Sequence, residues 1–534
     1  MTRRFISKNI DIYKYPNVLE NNLGAITLGD LHGNPIKLIH ILFRHQIIQF
    51  NHEVTNVEEA YQQFVTLYEQ FGEILEEYFE NHTLLQFAQI KIDNAKERIA
   101  NLEQQLLAAV NAETQTQQNL SQLREQTLLK LQAAEEEHRK LKQKLAEPKE
   151  KLSHSVSQFN HFMSQIEVRD NQTLIRLIGD EIADRGNCDY FTVRILNLLR
   201  RNHCPLNILI SNHGSEFIYA FEQFMAGHAF APPGYIGDVQ IPSFWGLKLL
   251  LEHDIINSEE LTHLINETYK PTLKVLDYTL SEQGITLFSH APIRFDSIQL
   301  MAASLGVPYD GSTAEALAAT IEQINHQFQT YVENNSTHSL FHTDTIHDRT
   351  NMSEQERATW PLIYLFWNRW DAIKETESAR PTTHNGYNIT YVHGHDGFQS
   401  LLPHIYNLDT PCGKEPRKTE NERIDKAFRF ITENKNNAVD KTTSESYLRD
   451  VLRYKVFDSD EHDLAFNKQS KLNPIKKIQD NEINGSIKKL ALLGKSILPA
   501  PTPFVALQEP TTKPCSRELI LASEGQEERA LFNF

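Results

Sequence analysis

The chain has 534 residues, 40% of them hydrophobic, and a formal net charge of −17. That length suits about three or four domains at roughly 150 residues each, and the negative charge excludes a nucleic-acid binder held mainly by phosphate contacts. The four cysteines, Cys188, Cys204, Cys412 and Cys515, lack CxxC spacing, which excludes a disulfide framework or a zinc–thiolate site and fits a reducing compartment.

Residues 1–22 read as an N-terminal segment. Met1 to Tyr15 has basic residues but no apolar stretch of the kind a secretory leader needs. No run approaches the roughly 18 apolar residues that span a bilayer, so a soluble protein is expected. Ala25 to Leu28 is a short apolar run. Gly29-Asp30-Leu31-His32-Gly33-Asn34 reads as a turn, and Pro35 fits the first position of a helix.

From 57 to 166 glycine nearly vanishes. Ala88, Ile92, Ala95, Ile99, Leu102, Leu106 and Ala109 alternate spacings of four and three, the mark of a helical seam. A second seam runs through Leu131, Ala134, His138, Leu141, Leu145, Pro148, Leu152, Val156, Phe159, Met163 and Ile166. The polar stretch Asn111 to Gln118 between them predicts an antiparallel hairpin, with a parallel homodimeric coiled coil as the competitor. Pro148 predicts a break in the second arm.

Short runs rich in Ile, Leu and Val return at Leu174 to Ile178, Leu206 to Ile210, Ile285 to Phe288 and Ile389 to Val392. Helical patterns lie between them, as at Thr192 to Arg201 and Ser215 to Phe224. Alternation of this kind predicts an α/β domain over 23–433, with layered sheets flanked by helices, interrupted by the hairpin at 57–166. Residues 434–497 are expected to be a partly helical region, with helices near Ser444 to Tyr454 and Gly485 to Leu493. Residues 498–534 read as a proline-rich linker and an acidic, then apolar, tail.

Each apolar run ends in a polar cluster. In order, these are Asp30 and His32; Asp180 with Asp184-Arg185-Gly186; Asn212-His213; His290; and Gly394-His395. Ligands of layered α/β sheets bind beyond the carboxyl ends of the strands. One Gly-Asp-x-His is common turn chemistry, and a lone histidine after a strand is usually a satisfied core residue. Five such clusters in order on one rim would build a metal site from oxygen and imidazole donors, suited to Mn, Fe or Zn.

Gly29-Asp30-Leu31-His32-Gly33, Gly179-Asp180-Glu181-Ile182-Ala183-Asp184-Arg185-Gly186, Asn212-His213, Ser289-His290 and Gly394-His395 together resemble the calcineurin-like metallophosphoesterases. The Asp-Arg-Gly narrows this to the PPP-type phosphoprotein phosphatases. Phe366-Trp367-Asn368-Arg369 and Asn407-Leu408-Asp409-Thr410 resemble segments of their bacterial and phage members. The whole set is most similar to the Wip-type effector phosphatases secreted by Legionella, which also carry a helical insertion.

The resemblance implies a calcineurin-like fold, two divalent metal ions (manganese first, iron or zinc as alternatives) and phosphorylated protein substrates. Asp30 and His32 would hold the first metal, Asp180 would bridge, and Asn212, His290 and His395 would hold the second. His393 is the alternative to His395. His213 would be the general acid, oriented by Asp184, and Arg185 and Arg369 would grip the phosphate. Two such metals about 3.5–4 Å apart clamp an in-line displacement and lower the pKa of a water toward roughly 7.

Two departures from the family pattern stand out. The usual Gly-Asn-His-Glu is here Ser211-Asn212-His213-Gly214-Ser215-Glu216, and the hairpin separates Asp30 from Asp180 by 150 positions. The expected activity is a metal-dependent phosphoprotein phosphatase, leaning to phosphotyrosine. Serine/threonine phosphatase and dinucleoside polyphosphate hydrolase are the alternatives, and a binding scaffold using the hairpin is the alternative of another class. The hairpin is either a solvated insertion or a docking arm for a protein partner. Glu524, Glu527 and Glu528 resemble the tail signals that direct Legionella effectors into host cells, which implies secretion into the host cytosol.

Overall fold

The computed structural model describes residues 3–109, 114–233, 240–414 and 453–460. In chain order the elements begin with β1 (Arg3–Asn9), β2 (Ala25–Leu28), α1 (Pro35–Arg44) and β3 (Ile48–Phe50). The hairpin follows as α2 (Val57–Ala108), α3 (Thr114–Ala146) and α4 (Lys149–Ser164). Then come β4 (Ile166–Val168), β5 (Leu174–Leu177), α5 (Asp189–Arg201), β6 (Leu206–Leu209), α6 (Asn212–Met225), α7 (Pro242–Glu252) and α8 (Ser258–Leu264). Next are β7 (Leu273–Lys274), β8 (Asp277–Ser281), β9 (Gly284–Phe288), α9 (Ser297–Ser304), α10 (Ala314–Glu333), α11 (Glu354–Thr359) and α12 (Pro361–Trp367). The last are β10 (Thr383–His384), β11 (Tyr387–His393), β12 (Ile405–Asn407) and β13 (Arg453–Ser459).

The strands form two larger sheets. One has the order β1-β13-β2-β5-β6-β7, the other β10-β11-β9-β8 with β12 paired to β11. β2, β5, β6 and β7 run parallel, as do β9, β11 and β12, so the carboxyl ends of the motif-bearing strands share a direction within each sheet. The sheets meet through side chains. The Phe288 and Phe457 rings lie 5.9 Å apart. Arg176 on β5 donates to Asp277 Oδ2 at 2.6 Å while stacking 3.7 Å over the Phe288 ring. Mixed α/β layering matches the expectation.

The hairpin is antiparallel and intramolecular. Lys91 pairs with Glu137, Arg124 with Glu103 and Lys151 with Glu77, so partner numbers fall on one side as they rise on the other. The expected seam residues face inward: Ala88, Ile92, Leu102, Ala134, Leu141, Leu152 and Phe159 are buried. The chain leaves the helix between Ala146 and Lys149, around Pro148, because proline lacks an N–H and its ring clashes with the preceding turn. At 52 residues, α2 extends about 78 Å at ~1.5 Å per residue.

Two boundaries differ from the sequence expectation. The segment 1–22 is not a separate element, since β1 pairs antiparallel with β13 from Arg3↔Ser459 to Asn9↔Arg453. Arg453 and Tyr454, expected at the end of a helix, begin β13, which also pairs with β2. From Val456 to Ser459 every residue is buried, on both faces, as suits a strand with neighbours on either side, and the lysine-rich surroundings obscure it. The linker, the remaining C-terminal helices and the acidic tail lie outside the described residues.

Candidate metal centre

The site begins with loops that follow the parallel strands. After β2, Asn34 caps α1 by accepting from Ile36 N at 2.9 Å, and the turn before it carries Asp30 and His32. The equivalent loop after β5 carries Asp180 and Asp184, Ser211 caps α6 through Gly214 N, and His290 and His395 follow β9 and β11. His32, Asp180 and His395 hold positive φ of 56°, 54° and 68°. Such backbone costs of order 1 kcal/mol each and persists where the surroundings enforce it, commonly at functional sites.

The two histidines decide the chemistry. His290 Nδ1 faces the Ile178 carbonyl at 2.8 Å and His395 Nε2 faces the Trp367 carbonyl at 3.4 Å. With those nitrogens donating, His290 Nε2 and His395 Nδ1 present lone pairs to each other at 3.1 Å. The Asn212 side-chain oxygen stands 2.9 Å from His290 Nε2, and Asp180 Oδ1 is 3.6 Å from it. Four acceptors converge with no proton to share, which is the donor set a cation satisfies. Burial lowers the pKa of both imidazoles, which keeps them neutral and able to ligate.

A second cluster adjoins it. Asp30, His32 and Asp409 present ligand atoms within 4.8 Å of one another, as do His32, Asp180 and Asp184. His32 Nδ1 stands 3.1 Å from Asp184 Oδ2 and its Nε2 stands 2.8 Å from the Thr410 carbonyl. A neutral imidazole has one N–H for these two acceptors. Asp30 Oδ1, Asp180 Oδ1 and Asp409 Oδ1 are buried without a hydrogen-bond partner. Burial, then the charges of Asp409 and Asp180, push the Asp30 carboxyl well above the usual range. The residues therefore fit divalent cations. Gly394 closes the wall: a Cβ there would lie 2.0 Å from Asp30 Oδ1.

His213 and Asp184 adjoin these clusters. The His213 ring is held through Nδ1 by the Ala183 carbonyl at 2.7 Å, with Nε2 3.5 Å from Asp184 Oδ1. The carbonyl, rather than Asp184 alone, orients the ring. Burial works to raise the Asp184 pKa, but His213, His32 and Arg185 outweigh it and hold the carboxyl far below the usual range. Arg185 Nη1 donates to Asp184 Oδ1 at 2.8 Å and its side chain is 36% exposed. Arg369 donates to the His395 carbonyl, so both predicted phosphate-gripping arginines touch residues of the centre.

His393 stands apart from the cluster. Its Nε2 accepts from Arg380 Nη1 at 3.3 Å, and burial followed by the Arg380 charge lowers its pKa to about 3. The reading of the residues missed Asp409. Its motif had been recognised, but the pairing of β12 with β11 is what carries it to the cluster. Glu181 was also passed over. It is buried, accepts from the Tyr269 hydroxyl, and lies 3.7 Å from where a Gly214 Cβ would be, beside the position where the family carries its glutamate.

A family model described as the WipA-like phosphatase domain matches residues 174–414, and one for the WipA alpha-helical hairpin matches residues 59–163. The chain carries a Wip-type phosphatase domain. Asp30, His32 and β13 lie outside both ranges of the Wip-type match, so their place in the centre rests on the geometry above. The phosphatase domain of the Legionella effector WipB is similar at 24% identity and a TM-score of 0.49, covering 70% of this chain and 99% of that one. Comparison with curated proteins gave no match. No described helix is long and apolar enough to cross a membrane.

Proposed function

We propose that the chain is a metal-dependent phosphoprotein phosphatase of calcineurin-like fold, using two divalent cations, manganese first. The observation that carries this reading is the approach of His290 Nε2 and His395 Nδ1 to 3.1 Å beside buried, partnerless Asp180 and Asp30 oxygens. Asp30 and His32 would hold one ion, Asp180 would bridge, and Asn212, His290 and His395 would hold the other. Bound there, the pair supplies positive charge for phosphoryl oxygens and lowers the pKa of water toward roughly 7.

The chain's own groups do the rest. Arg185 and Arg369 offer planar guanidinium forks that match phosphate oxygens. His213 Nε2 delivers a proton to the leaving oxygen, and Asp184 stabilises the ring's charge. Phosphotyrosine is the favoured substrate. The altered Asn212-His213-Gly214-Ser215 loop beside the proposed acid is the feature that favours it. As the resemblance implies, phosphoproteins of a host cell would be the targets after secretion.

The test assays the purified chain with Mn²⁺ or chelator against phosphotyrosine peptides, phosphoserine/threonine peptides and dinucleoside polyphosphates. Turnover that needs metal and favours phosphotyrosine is expected; turnover indifferent to chelator would sink the mechanism. Asp180→Asn should lose metal and at least about 100-fold in activity, while His213→Asn keeps metal and slows turnover by about 100-fold or more. Metal loss in the His213 variant would contradict its role as acid.

A further inference from the structure

The two proposed cation sites are unequally furnished. With Asp180 shared, Asn212, His290 and His395 would serve one site and only Asp30 and His32 the other. Asp409, two residues beyond β12, faces the poorer site. Its Oδ1 stands 3.5 Å from His32 Nε2, groups with Asp30 and His32 at ligand spacing, and has no hydrogen-bond partner although buried.

The backbone of the same residue is tied down. Asp409 N donates to Asn407 Oδ1 at 2.8 Å. From β13, Lys455 Nζ donates to the carbonyls of Asn407 at 3.0 Å and Asp409 at 3.1 Å. A loop anchored through its peptide groups presents one carboxylate oxygen, without a donor, to a second buried carboxylate. Asp30 is buried and only 12% of the Asp409 side chain is exposed, so the two carboxylates repel each other unless a cation or a proton lies between them.

We propose that Asp409 is a ligand of the first cation, completing a site of three carboxylates, Asp30, Asp180 and Asp409, and one imidazole, His32. This rests on the two-metal reading above. The two sites then differ in kind. The first is rich in anionic oxygen and suits a hard ion such as Mn²⁺, and the second, with two imidazoles, also suits softer ions.

Asn at position 409 removes the charge yet keeps an oxygen that can accept from His32, so it separates a ligand from a residue that only orients His32. The experiment titrates the metal-stripped full chain with Mn²⁺ by calorimetry and reads the bound ions by electron paramagnetic resonance. Wild type should take up two ions with a spin-coupled signal. Asp409→Asn should bind the first-site ion at least about tenfold more weakly, keep the other, and give an uncoupled signal. Asp409→Glu, which retains a carboxylate, should recover coupling. Two ions of wild-type affinity in Asp409→Asn would overturn the assignment. So would equal loss of both ions in both variants with a lowered melting temperature, which marks a folding role for the loop. Wild type that binds no Mn²⁺ would instead defeat the two-metal reading itself.

Discussion

Among single residues, Arg176 and Asp277 show how the two sheets are fixed behind the centre. Both are buried, and Asp277 also accepts from Lys274 at 2.9 Å. Burial opposes ionisation of Asp277, yet Lys274 and Arg176 hold its carboxyl well below the usual range. Its folded pKa therefore lies under the unfolded value of about 3.9. The stabilisation is present above that value and is lost as pH falls through the folded one. Asp277→Asn should cost about 3–5 kcal/mol at neutral pH by leaving Arg176 buried and unpaired. The gap from wild type should narrow progressively as pH falls below about 4 toward the folded value, which denaturant titrations at several pH values would read. The residues of the centre were legible because each closes an apolar run at a strand end. Asp409 was not, because an Asp two places after an Asn is ordinary turn chemistry until β12 is seen beside β11.

The hairpin is the element most fully written in the sequence. Its seam spacing is helical, and a helix buries a stripe whatever the rest of the fold does. Its footing was not legible, since contacts between distant segments leave no periodic trace. At the base, Asn187 N donates to the Tyr68 hydroxyl at 2.8 Å and Asn187 Nδ2 to the Tyr68 carbonyl at 2.9 Å, one residue past Asp184-Arg185-Gly186. Phe71 packs edge-on to Phe191 at 5.3 Å. A Cβ at Gly186 would lie 1.7 Å from the Gly33 carbonyl and 3.0 Å from the Tyr68 hydroxyl, so the first two loops of the candidate centre press on each other beside the hairpin base. Among the described residues, none of these contacts comes from the outer arms. The register of Lys91 with Glu137 makes a cut from Ala95 to Ala133 balanced. Replacing that stretch by a short loop should leave small-phosphoester turnover within about twofold, whereas Tyr68→Ala should lower both melting temperature and turnover by losing its packing and its hydrogen bond. Steady-state rates on a chromogenic phosphoester check both, and collapse of the shortened chain would make the arms part of the centre.

Across the whole molecule, β13 is what the sequence hid most effectively. It lies far from the other strands in the chain, and its polar flanks mask a short, fully buried run. Yet Lys455 on it reaches Gln399, Asn407 and Asp409, each at 3.0–3.1 Å. Lys455→Met should weaken Mn²⁺ binding severalfold and cost about 1–3 kcal/mol of stability through unsatisfied carbonyls. Calorimetry and denaturant unfolding check the two effects, and unchanged metal affinity would detach β13 from the centre.

The position of β13 also orders events in time. It sits between β1 and β2, and Arg4 meets Asp458 across 454 positions of chain. A ribosome adding roughly 5–20 residues each second exposes β1 and β2 long before their common neighbour exists. Until then their facing edges stay open, a template for stray pairing. Contacts this remote in sequence also close slowly. The last described strand to be made is thus the one that joins β1 to β2, and the sheet that carries the candidate centre is complete only after residue 459 has been added.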